Sequence, residues 1–116
     1  MRYPEGAVYV ASAYARREDA RDFARELRVQ GIRVVSTWHD LPPVERETEG
    51  DLPLTAQQAI AATCLREVDE AAWVLALGHV AMRGALWECG YAMGRGKVVW
   101  WVGLAPTLFA SLAVRR

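Results

Sequence analysis

Glu88 is the residue whose place in the sequence best fits catalytic chemistry. It lies in the segment RGALWECGYA, residues 83–92, which predicts the beginning of a helix directly after a buried strand. A carboxylate in the first turn of a helix is kept ionised by the helix dipole, and it can act as a nucleophile or stabilise developing positive charge. Acidic residues are also favoured in first turns for stability alone, so both interpretations stay open.

Further candidate residues follow predicted strands or open the helix that carries Glu88. Trp38 can stack on a flat ring or pack in the core. His39 and His79 can each act as a general acid, which only their geometry can decide. The candidate substrate-binding residues are Ser12, Tyr14, Arg17, Trp38, His39, His79 and Gly84.

The cysteines and the overall charge limit the kinds of cofactor and partner. Cys64 and Cys89 lack the CxxC spacing of a structural zinc site, and no His, Cys and Asp cluster has metal-ligand spacing. We therefore expect no metal and no cofactor, and we interpret both residues as buried thiols in a reducing, cytoplasmic compartment. Fourteen basic residues balance fourteen acidic ones, so no overall field attracts nucleic acid or an anionic membrane.

The elements that must position these residues alternate between strands and helices. Residues 7–11 (AVYVA) predict a first strand, and residues 32–38 (IRVVSTW), 72–77 (AWVLAL) and 97–102 (KVVWWV) predict three more. These runs are apolar without polar alternation, which is typical of a parallel sheet buried on both faces. In such sheets a ligand binds beyond the carboxyl ends of the strands, where the strand order reverses.

Three helices are predicted between these strands. The first has an apolar stripe at helical spacing, and Gly31 follows it as the expected C-terminal cap. Thr55 and Gln58 predict a capping box at the start of the second helix, which extends to about Glu70. The third covers about residues 85–93, and a short helix is expected after Pro106.

The long loop at residues 39–53 (HDLPPVERETEGDLP) has three prolines and mostly acidic charges. A connection of this length is unusual in a compact domain unless it is a lid, a binding loop or disordered. We expect it to be mobile in the free protein and to order over a bound ligand.

Length and composition predict one globular domain over residues 1–116. The chain is 53% hydrophobic, which suffices for a core, and no apolar run approaches the roughly 20 residues of a membrane span. Nor does the start contain the apolar core of a signal peptide. Five tryptophans in so short a chain predict leftover apolar surface, and hence a homo-oligomer, most simply a dimer.

The segment GALWECGYAMGRGKVV, residues 84–99, resembles the signature of the nucleoside 2-deoxyribosyltransferase family. In that family a helix-opening glutamate is followed by Gly-Tyr-Ala and by Gly-Lys before an apolar strand. Residues 8–17 (VYVASAYARR) are similar too, and the ending VGLAPTLF, residues 102–109, is weakly similar to small phage-encoded members. A related spacing of Gly, a small residue and Glu also occurs in nucleoside-monophosphate N-glycosidases.

The resemblance implies a flavodoxin-like or Rossmann-like three-layer α/β sandwich with a parallel sheet of four to five strands. It also implies cleavage of the N-glycosidic bond of a nucleoside or nucleotide, by hydrolysis or glycosyl transfer. Glu88 would attack the anomeric carbon or stabilise an oxocarbenium-like sugar while the base departs. For such a substrate, two interpretations of Arg16 and Arg17 stay open: with main-chain N–H groups near Ser12 and Tyr14 they can hold a 5'-phosphate, or they are solvated charges of the helix.

The sequence departs from the family at two positions. The transferases carry one Asp six residues before the glutamate, where Met82 stands, and another on the second helix at the position of Cys64. Loss of both disfavours transfer between bases and favours hydrolysis. Glu67 and Asp69, nearby on the second helix, are interpreted as surface ion pairs.

Two other functions remain open. The missing carboxylates also fit a nucleotide-binding module without catalysis. A TIR-like NAD glycohydrolase is the third interpretation, although TIR domains usually place a Trp-Cys pair before their glutamate, whereas Trp87 and Cys89 flank Glu88. The similarity to phage-encoded members implies action in the cytoplasm of a host cell.

Overall fold

The centre of the protein is a parallel β-sheet, which a computed structural model describes together with the rest of residues 3–41, 52–104 and 108–115. Strands β1 (Val8–Ser12), β2 (Trp73–Gly78) and β3 (Val98–Gly103) pair in that order. A two-residue strand, β4 (Val114–Arg115), extends the sheet beside β3. The described part of the chain thus has three full strands and this short one, where four to five were predicted.

The predicted second strand is reduced to one isolated parallel bridge, between Val34 and Val8. The pairing stops because a side chain takes the next hydrogen bond of the ladder. The N–H of Val10 donates to Ser36 Oγ at 3.0 Å, and a 3-10 turn, Trp38–Asp40, follows. The strand prediction was therefore wrong beyond the bridge, although the segment does lie beside β1.

The bridge places this segment and β2 on opposite sides of β1, because Val8 pairs with both. The chain leaves β1 toward one side and returns to the other side to form β2. The strand order therefore reverses at β1 and β2. Their carboxyl ends, at Ser12 and Gly78, form the switch point at which sheets of this kind bind ligands.

Helices cover both faces of the sheet. Helix α1 (Arg17–Val29) buries Ala20, Ala24 and Leu27, which confirms the predicted apolar stripe. Gly31 follows α1 with a φ of +83°, which a glycine adopts easily, and its N–H donates to Arg28 O. The predicted C-terminal cap is therefore confirmed.

Two more helices, α2 (Leu54–Glu70) and α3 (Arg83–Gly94), complete the described helical part of the fold. No side chain caps the start of α2. The predicted capping box was wrong because α2 already begins at Leu54, so Thr55 is its second helical residue and not its N-cap. A 3-10 turn, Leu108–Leu112, lies where a short final helix was expected.

Successive residues of each strand point to opposite faces of the sheet, and this alternation divides the core into two layers. Val8, Val10, Leu75 and Trp100 pack with α1 on one face, and the opposite face packs with α2 and α3. Trp101 belongs to that second face, so the two adjacent tryptophans point to opposite sides, as neighbours in a strand do. The chain therefore folds as the predicted Rossmann-like three-layer sandwich.

No helix in the described ranges has both the length and the apolar character that a bilayer crossing needs. Most of the predicted lid, residues 42–51, lies outside the described residues, so the expectation about it stays a prediction. Of the described lid residues, His39 and Asp40 belong to the 3-10 turn that follows the bridge, and Pro53 directly precedes α2.

Candidate functional site

Helix α3 presents Glu88 from its second turn. The helix begins at Arg83, because the N–H of Leu86 already donates to Met82 O, and no acidic residue lies in its first turn. The expected first-turn position of Glu88 was therefore wrong by one turn, and the helix dipole acts on its carboxylate less strongly than expected. Glu88 is half-buried, and its side chain points toward the sheet.

Tyr9, in β1, is the partner that holds Glu88. Its side chain is fully buried, and its hydroxyl donates a short hydrogen bond to Glu88 Oε2. Burial, followed by the nearby Glu88 charge, raises the pKa of Tyr9 far above its ordinary value. The phenol therefore stays protonated, as a donor must, and it fixes the carboxylate against the sheet.

Cys64, on α2, approaches the same pair from the neighbouring helix. Its thiol is half-buried and lies close enough to Tyr9 and Glu88 for both to affect its ionisation. Burial and the Glu88 charge raise the pKa of Cys64 to about 11, so the thiol is neutral near pH 7. Tyr9, Cys64 and Glu88 are called the Glu88 cluster below.

The signature segment that contains Glu88 also fastens α3 to α2. Tyr91 OH donates to the carboxylate of Asp69 at 2.9 Å, and Arg95 Nε lies 3.1 Å from the same carboxylate. Lys97 Nζ donates to the carbonyls of Asp69, at 2.7 Å, and of Ala71 at the end of α2. Tyr91 and Lys97 are therefore structural, because they hold the two helices in the register that brings Cys64 to Glu88.

Glu67 is a residue that sequence reasoning placed wrongly. It is not a surface ion pair: it is buried, and its two carboxylate oxygens accept from Thr37 N at 3.1 Å and Thr37 Oγ1 at 2.8 Å. Its spacing of three residues from Cys64, on the same helix face, was the signal that could have predicted this inward position. Asp69 does form the expected exposed ion pair, with Arg95.

The switch point itself is braced by polar side chains. Ser12 Oγ donates to Leu77 O at 2.9 Å, and Arg16 Nη1 donates to Gly78 O at 3.1 Å. Both bonds join the end of β1 to the end of β2. Ser12 is buried, so its main role visible here is to fix this edge of the sheet.

Tyr14 and Arg17 form a second pair at this edge, just before and within the start of α1. Arg17 Nη1 donates to Tyr14 OH at 3.0 Å, and its guanidinium carbon lies 5.2 Å from the centre of the tyrosine ring. Arg17 Nε is buried without a hydrogen-bond partner among the described residues. The stacked ring orients the cation beside the switch point.

His79, Met82 and Gly84 lie between β2 and the first turn of α3. His79 Nδ1 accepts the N–H of Ala81 at 3.0 Å, so a neutral ring carries its proton on Nε2. Met82 is buried, and its sulfur accepts from the backbone N–H of His79 at 3.3 Å. Gly84 is exposed at the second position of α3.

Trp38 and His39 are part of the packed interior and do not lie at the switch point. Trp38 Nε1 donates to Val10 O at 2.8 Å, and its ring packs between the two faces of the core. His39 is fully buried, with Nε2 2.8 Å from Ser36 Oγ and Nδ1 3.1 Å from Asp40 Oδ1. This Ser-His-Asp arrangement resembles a catalytic triad, but Ser36 and His39 are fully buried, so no substrate reaches them.

The buried position of His39 makes protein stability depend on pH. Burial, which outweighs the opposing effect of Asp40, lowers the pKa of His39 in the folded protein. Below about pH 6.5 the unfolded chain then binds more protons than the folded protein. The free energy of unfolding is therefore highest above that pH and falls as the pH drops below it. Urea unfolding at pH 8.0, 6.5 and 5.0 should show this loss. The loss should persist in His79→Gln and shrink in His39→Gln; an equal slope in both variants would contradict it.

A broad open cleft lies at the other end of the sheet. It has a volume of about 950 Å³, and Tyr3, Gly6, Gln30 and Arg33 are among the residues that line it. These residues precede β1 or follow α1, so the cleft is at the amino edge of the sheet. Parallel sheets bind their ligands at the carboxyl edge, and we therefore place the candidate site there.

Comparisons with known proteins support the fold. No protein-family model and no curated protein matches the chain. Among the solved structures that match, the chain is similar to that of the Clostridium botulinum CMP N-glycosidase BcmB. The TM-score is 0.56 at 14% sequence identity, over 95% of this chain and 85% of that one. The two proteins therefore share a fold.

In the part of the chain that the structure describes, no group of three or more His, Cys, Asp or Glu residues is placed to hold a metal ion.

Proposed function

We propose that the protein cleaves the N-glycosidic bond of a nucleoside or nucleotide, with Glu88 as the central carboxylate. The hydrogen bond between Tyr9 and Glu88 carries this proposal, because it turns a half-buried carboxylate toward the sheet and fixes it there. The shared fold with a CMP N-glycosidase supports the same class of reaction. The resemblance of residues 84–99 to nucleoside 2-deoxyribosyltransferases supports it independently from the sequence.

The fixed carboxylate suits a sugar that becomes positively charged as its base departs. In the transition state the C1'–N bond breaks and its electron pair leaves with the base, so positive charge develops at C1' and the ring oxygen. Glu88 either stabilises this charge or bonds to C1', and water completes hydrolysis. Tyr9 holds the carboxylate in place in both cases, so little reorganisation is needed during the reaction.

His79 is the group that we propose to stabilise the leaving base, by donating a hydrogen bond from its Nε2–H to a nitrogen or oxygen of that base. Its ring is at the carboxyl edge of β2, and the hydrogen bond from Ala81 leaves Nε2 as the protonated nitrogen. The neutral thiol of Cys64 is a weak donor and the buried thioether of Met82 is no donor at all, so neither can replace His79 in this role. We assign this role to His79 and not to His39 because His39 is fully buried in the core.

Substrate binding is proposed at the switch point. Arg16 and Arg17 lie beside it, so a nucleotide with a 5'-phosphate fits better than an uncharged nucleoside. Tyr14 and the exposed Gly84 border the same edge and could contact the base or the sugar. We propose no metal and no cofactor for this reaction.

A nucleotide-binding module without catalysis is the second candidate. The specific observation in its favour is that Met82 and Cys64, a buried thioether and a neutral thiol, occupy the positions of the two family carboxylates. Such a module would bind nucleotides without releasing base.

The experiment that separates these functions is incubation with nucleosides, deoxynucleosides, their 5'-monophosphates and NAD. Free base is measured chromatographically, and free sugar is compared with exchanged nucleoside in the presence of excess acceptor base. We expect base release with free sugar exceeding exchange. Binding without base release would favour the module, efficient exchange would show transferase activity, and release from NAD alone would favour the TIR-like interpretation.

Tyr9→Phe tests the hydrogen bond that carries the proposal. The variant keeps the ring in the core and removes only the hydroxyl, so kcat should fall by about ten- to a hundredfold with KM little changed, a loss typical of one charge-assisted hydrogen bond. Tyr3→Phe is the matched control, because Tyr3 stacks on Trp73 and lines the cleft at the amino edge of the sheet. Equal kcat values in the two variants would remove Tyr9 from the mechanism.

We further propose that the protein forms a homodimer. Several large apolar side chains are exposed, among them Trp87, of which 83% is accessible, and Leu54, Ile60, Leu108 and Phe109. Exposed apolar surface of this kind commonly marks an interface. Light scattering at high micromolar concentration should give twice the mass of the 12.9 kDa chain. Trp87→Lys should shift that mass toward the monomer, and a monomeric wild-type protein would contradict the proposal.

A further inference from the structure

The outer side of helix α3 combines a large exposed side chain with glycines. The exposed residues of this helix are Arg83, Gly84, Trp87, Gly90 and Gly94. Their spacing of three and four residues places them in one stripe, on the side of α3 that faces away from the sheet. Trp87 is 83% exposed, more than any other large apolar residue that the structure describes. The stripe therefore presents a bulky aromatic ring with glycine on both sides of it.

These glycines have no packing role within the chain. Glycine is a poor helix former, so a glycine inside a helix needs a reason such as a close approach. A Cβ at Gly90 or Gly94 would meet no atom of the described residues within 4 Å. Gly90 also lies six residues, or about 9 Å, along the helix from Gly84 at the switch point. The shallow gap in the α3 surface at Gly90, called the Gly90 groove below, is thus left open by the single chain.

Helix α2 widens the same surface. It packs beside α3, and the Tyr91–Asp69 hydrogen bond joins the two helices. Its first twelve residues, 54–65 (LTAQQAIAATCL), contain no charge, and none of its residues before Glu67 is buried. Leu54 and Ile60 are exposed there. A helix of this composition is normally covered by another part of a protein.

We propose that this surface pairs with the same surface of a second copy, so that Trp87 of each copy fills the Gly90 groove of the other. The inference deepens the proposed homodimer by naming its interface, and it does not depend on the proposed reaction. Trp87 and Gly90 lie three residues apart on one stripe, so a two-fold axis between them brings each ring onto the glycine of its partner. Arg83 is the one charged residue of the stripe and lies at its end, so two identical faces do not repel each other at the centre.

The size of a stable interface explains why both helices take part. Such an interface buries roughly 800 Å² on each partner. Helix α3 has 12 residues and is about 18 Å long, so its stripe alone is too small. The uncharged half of α2 supplies the remaining area. Trp87 then lies near the centre, where a buried aromatic side chain contributes most to binding.

A charge exchange between the two positions tests their pairing. Trp87→Glu and Gly90→Arg each spoil both copies of the contact, because one removes the ring and the other fills the groove. At high micromolar concentration, sedimentation velocity should show each variant alone at the 12.9 kDa monomer mass and the wild type at twice that mass. An equimolar mixture of the two variants should regain the dimer mass. In that pair the new glutamate faces the new arginine, and the other contact is the native one.

The control is Phe109→Glu, which places a charge on another exposed apolar residue, outside both helices. It should remain a dimer. The proposal is overturned by a monomeric wild type, by a single variant at position 87 or 90 that stays dimeric, or by a mixture that stays monomeric. Far-UV circular dichroism confirms that each variant is folded. None of these masses depends on base release, so a failure of the proposed reaction leaves this test unaffected.

Gly90→Ala should have two opposite effects. The methyl group favours the helix in each chain, but it partly fills the Gly90 groove and should weaken the dimer. The stability of this variant is therefore compared with the wild type below the concentration at which the wild type dimerises. An unchanged dimer dissociation constant in Gly90→Ala would show that the ring does not approach this glycine closely and would count against the pairing.

Discussion

Glu88→Gln should abolish base release, with a loss of about a thousandfold or more in kcat while the fold is retained. A developing oxocarbenium ion would lose its counter-charge, and such an electrostatic contribution is typically worth several kcal/mol, or roughly a thousandfold in rate. Glutamine keeps the shape of the side chain, and its amide oxygen still accepts from Tyr9 OH, so the half-buried position stays filled. Any loss therefore reports the charge.

The matched control for this variant is Asp22→Asn on α1. Asp22 is also acidic, but 71% of its side chain is accessible and its ion pair with Arg25 is on the surface. Its removal should leave kcat within about twofold of the wild type, because exposed ion pairs contribute little. An unchanged rate in Glu88→Gln, with free base still released, would end the assignment of Glu88 as the central residue.

Gly78→Ala should destabilise the protein by about 2 to 3 kcal/mol, as expected when an added methyl group has no space. A Cβ at Gly78 would lie 1.8 Å from Leu104 O and 2.7 Å from Leu104 C. These are backbone atoms, which cannot rotate away as a side chain can. The Leu104 carbonyl also accepts a hydrogen bond from Trp101 Nε1 at 2.8 Å, so a shift of this carbonyl would disturb that bond. Gly78 ends β2 at the switch point, where Arg16 bonds to its carbonyl.

Gly90→Ala provides the control for Gly78→Ala. Gly90 lies within α3, its Cβ would meet nothing within 4 Å, and alanine is the better helix former. It should therefore stabilise the protein by about 0.5 to 1 kcal/mol. Urea unfolding of both variants measures the difference. Equal stabilities, or a larger loss in Gly90→Ala, would show that the close approach at Gly78 is relieved in solution.

Local sequence patterns determined most of the sandwich. The apolar runs at β1, β2 and β3 have little polar alternation because helices cover both faces of the sheet, and the strands were predicted to within about two residues. The stripe on α1 and the cap at Gly31 depend on neighbours in sequence, and both were confirmed. The strand predicted at residues 32–38 was wrong because its composition suits a strand, whereas the backbone N–H of Val10 on β1 donates to Ser36 Oγ and not to a backbone carbonyl of the segment.

The sequence by itself also singled out Glu88, His79 and the two substituted positions, Met82 and Cys64. It did not distinguish His79 from His39, since both follow apolar runs and only packing shows that His39 is enclosed. Nor did it reveal Tyr9, although a tyrosine inside a buried strand must find a partner for its hydroxyl.

Tertiary structure decided which of these groups meet. Tyr9 and Glu88 are 79 positions apart, and their hydrogen bond exists because α3 packs on the face of the sheet to which Tyr9 points. Cys64 joins them because Asp69, Tyr91 and Lys97 fasten α2 to α3. Periodicity records which face of an element is buried, but it carries no information on the register between elements. That register, fixed by packing and by long-range hydrogen bonds, is what brings a carboxylate, a phenol and a thiol together.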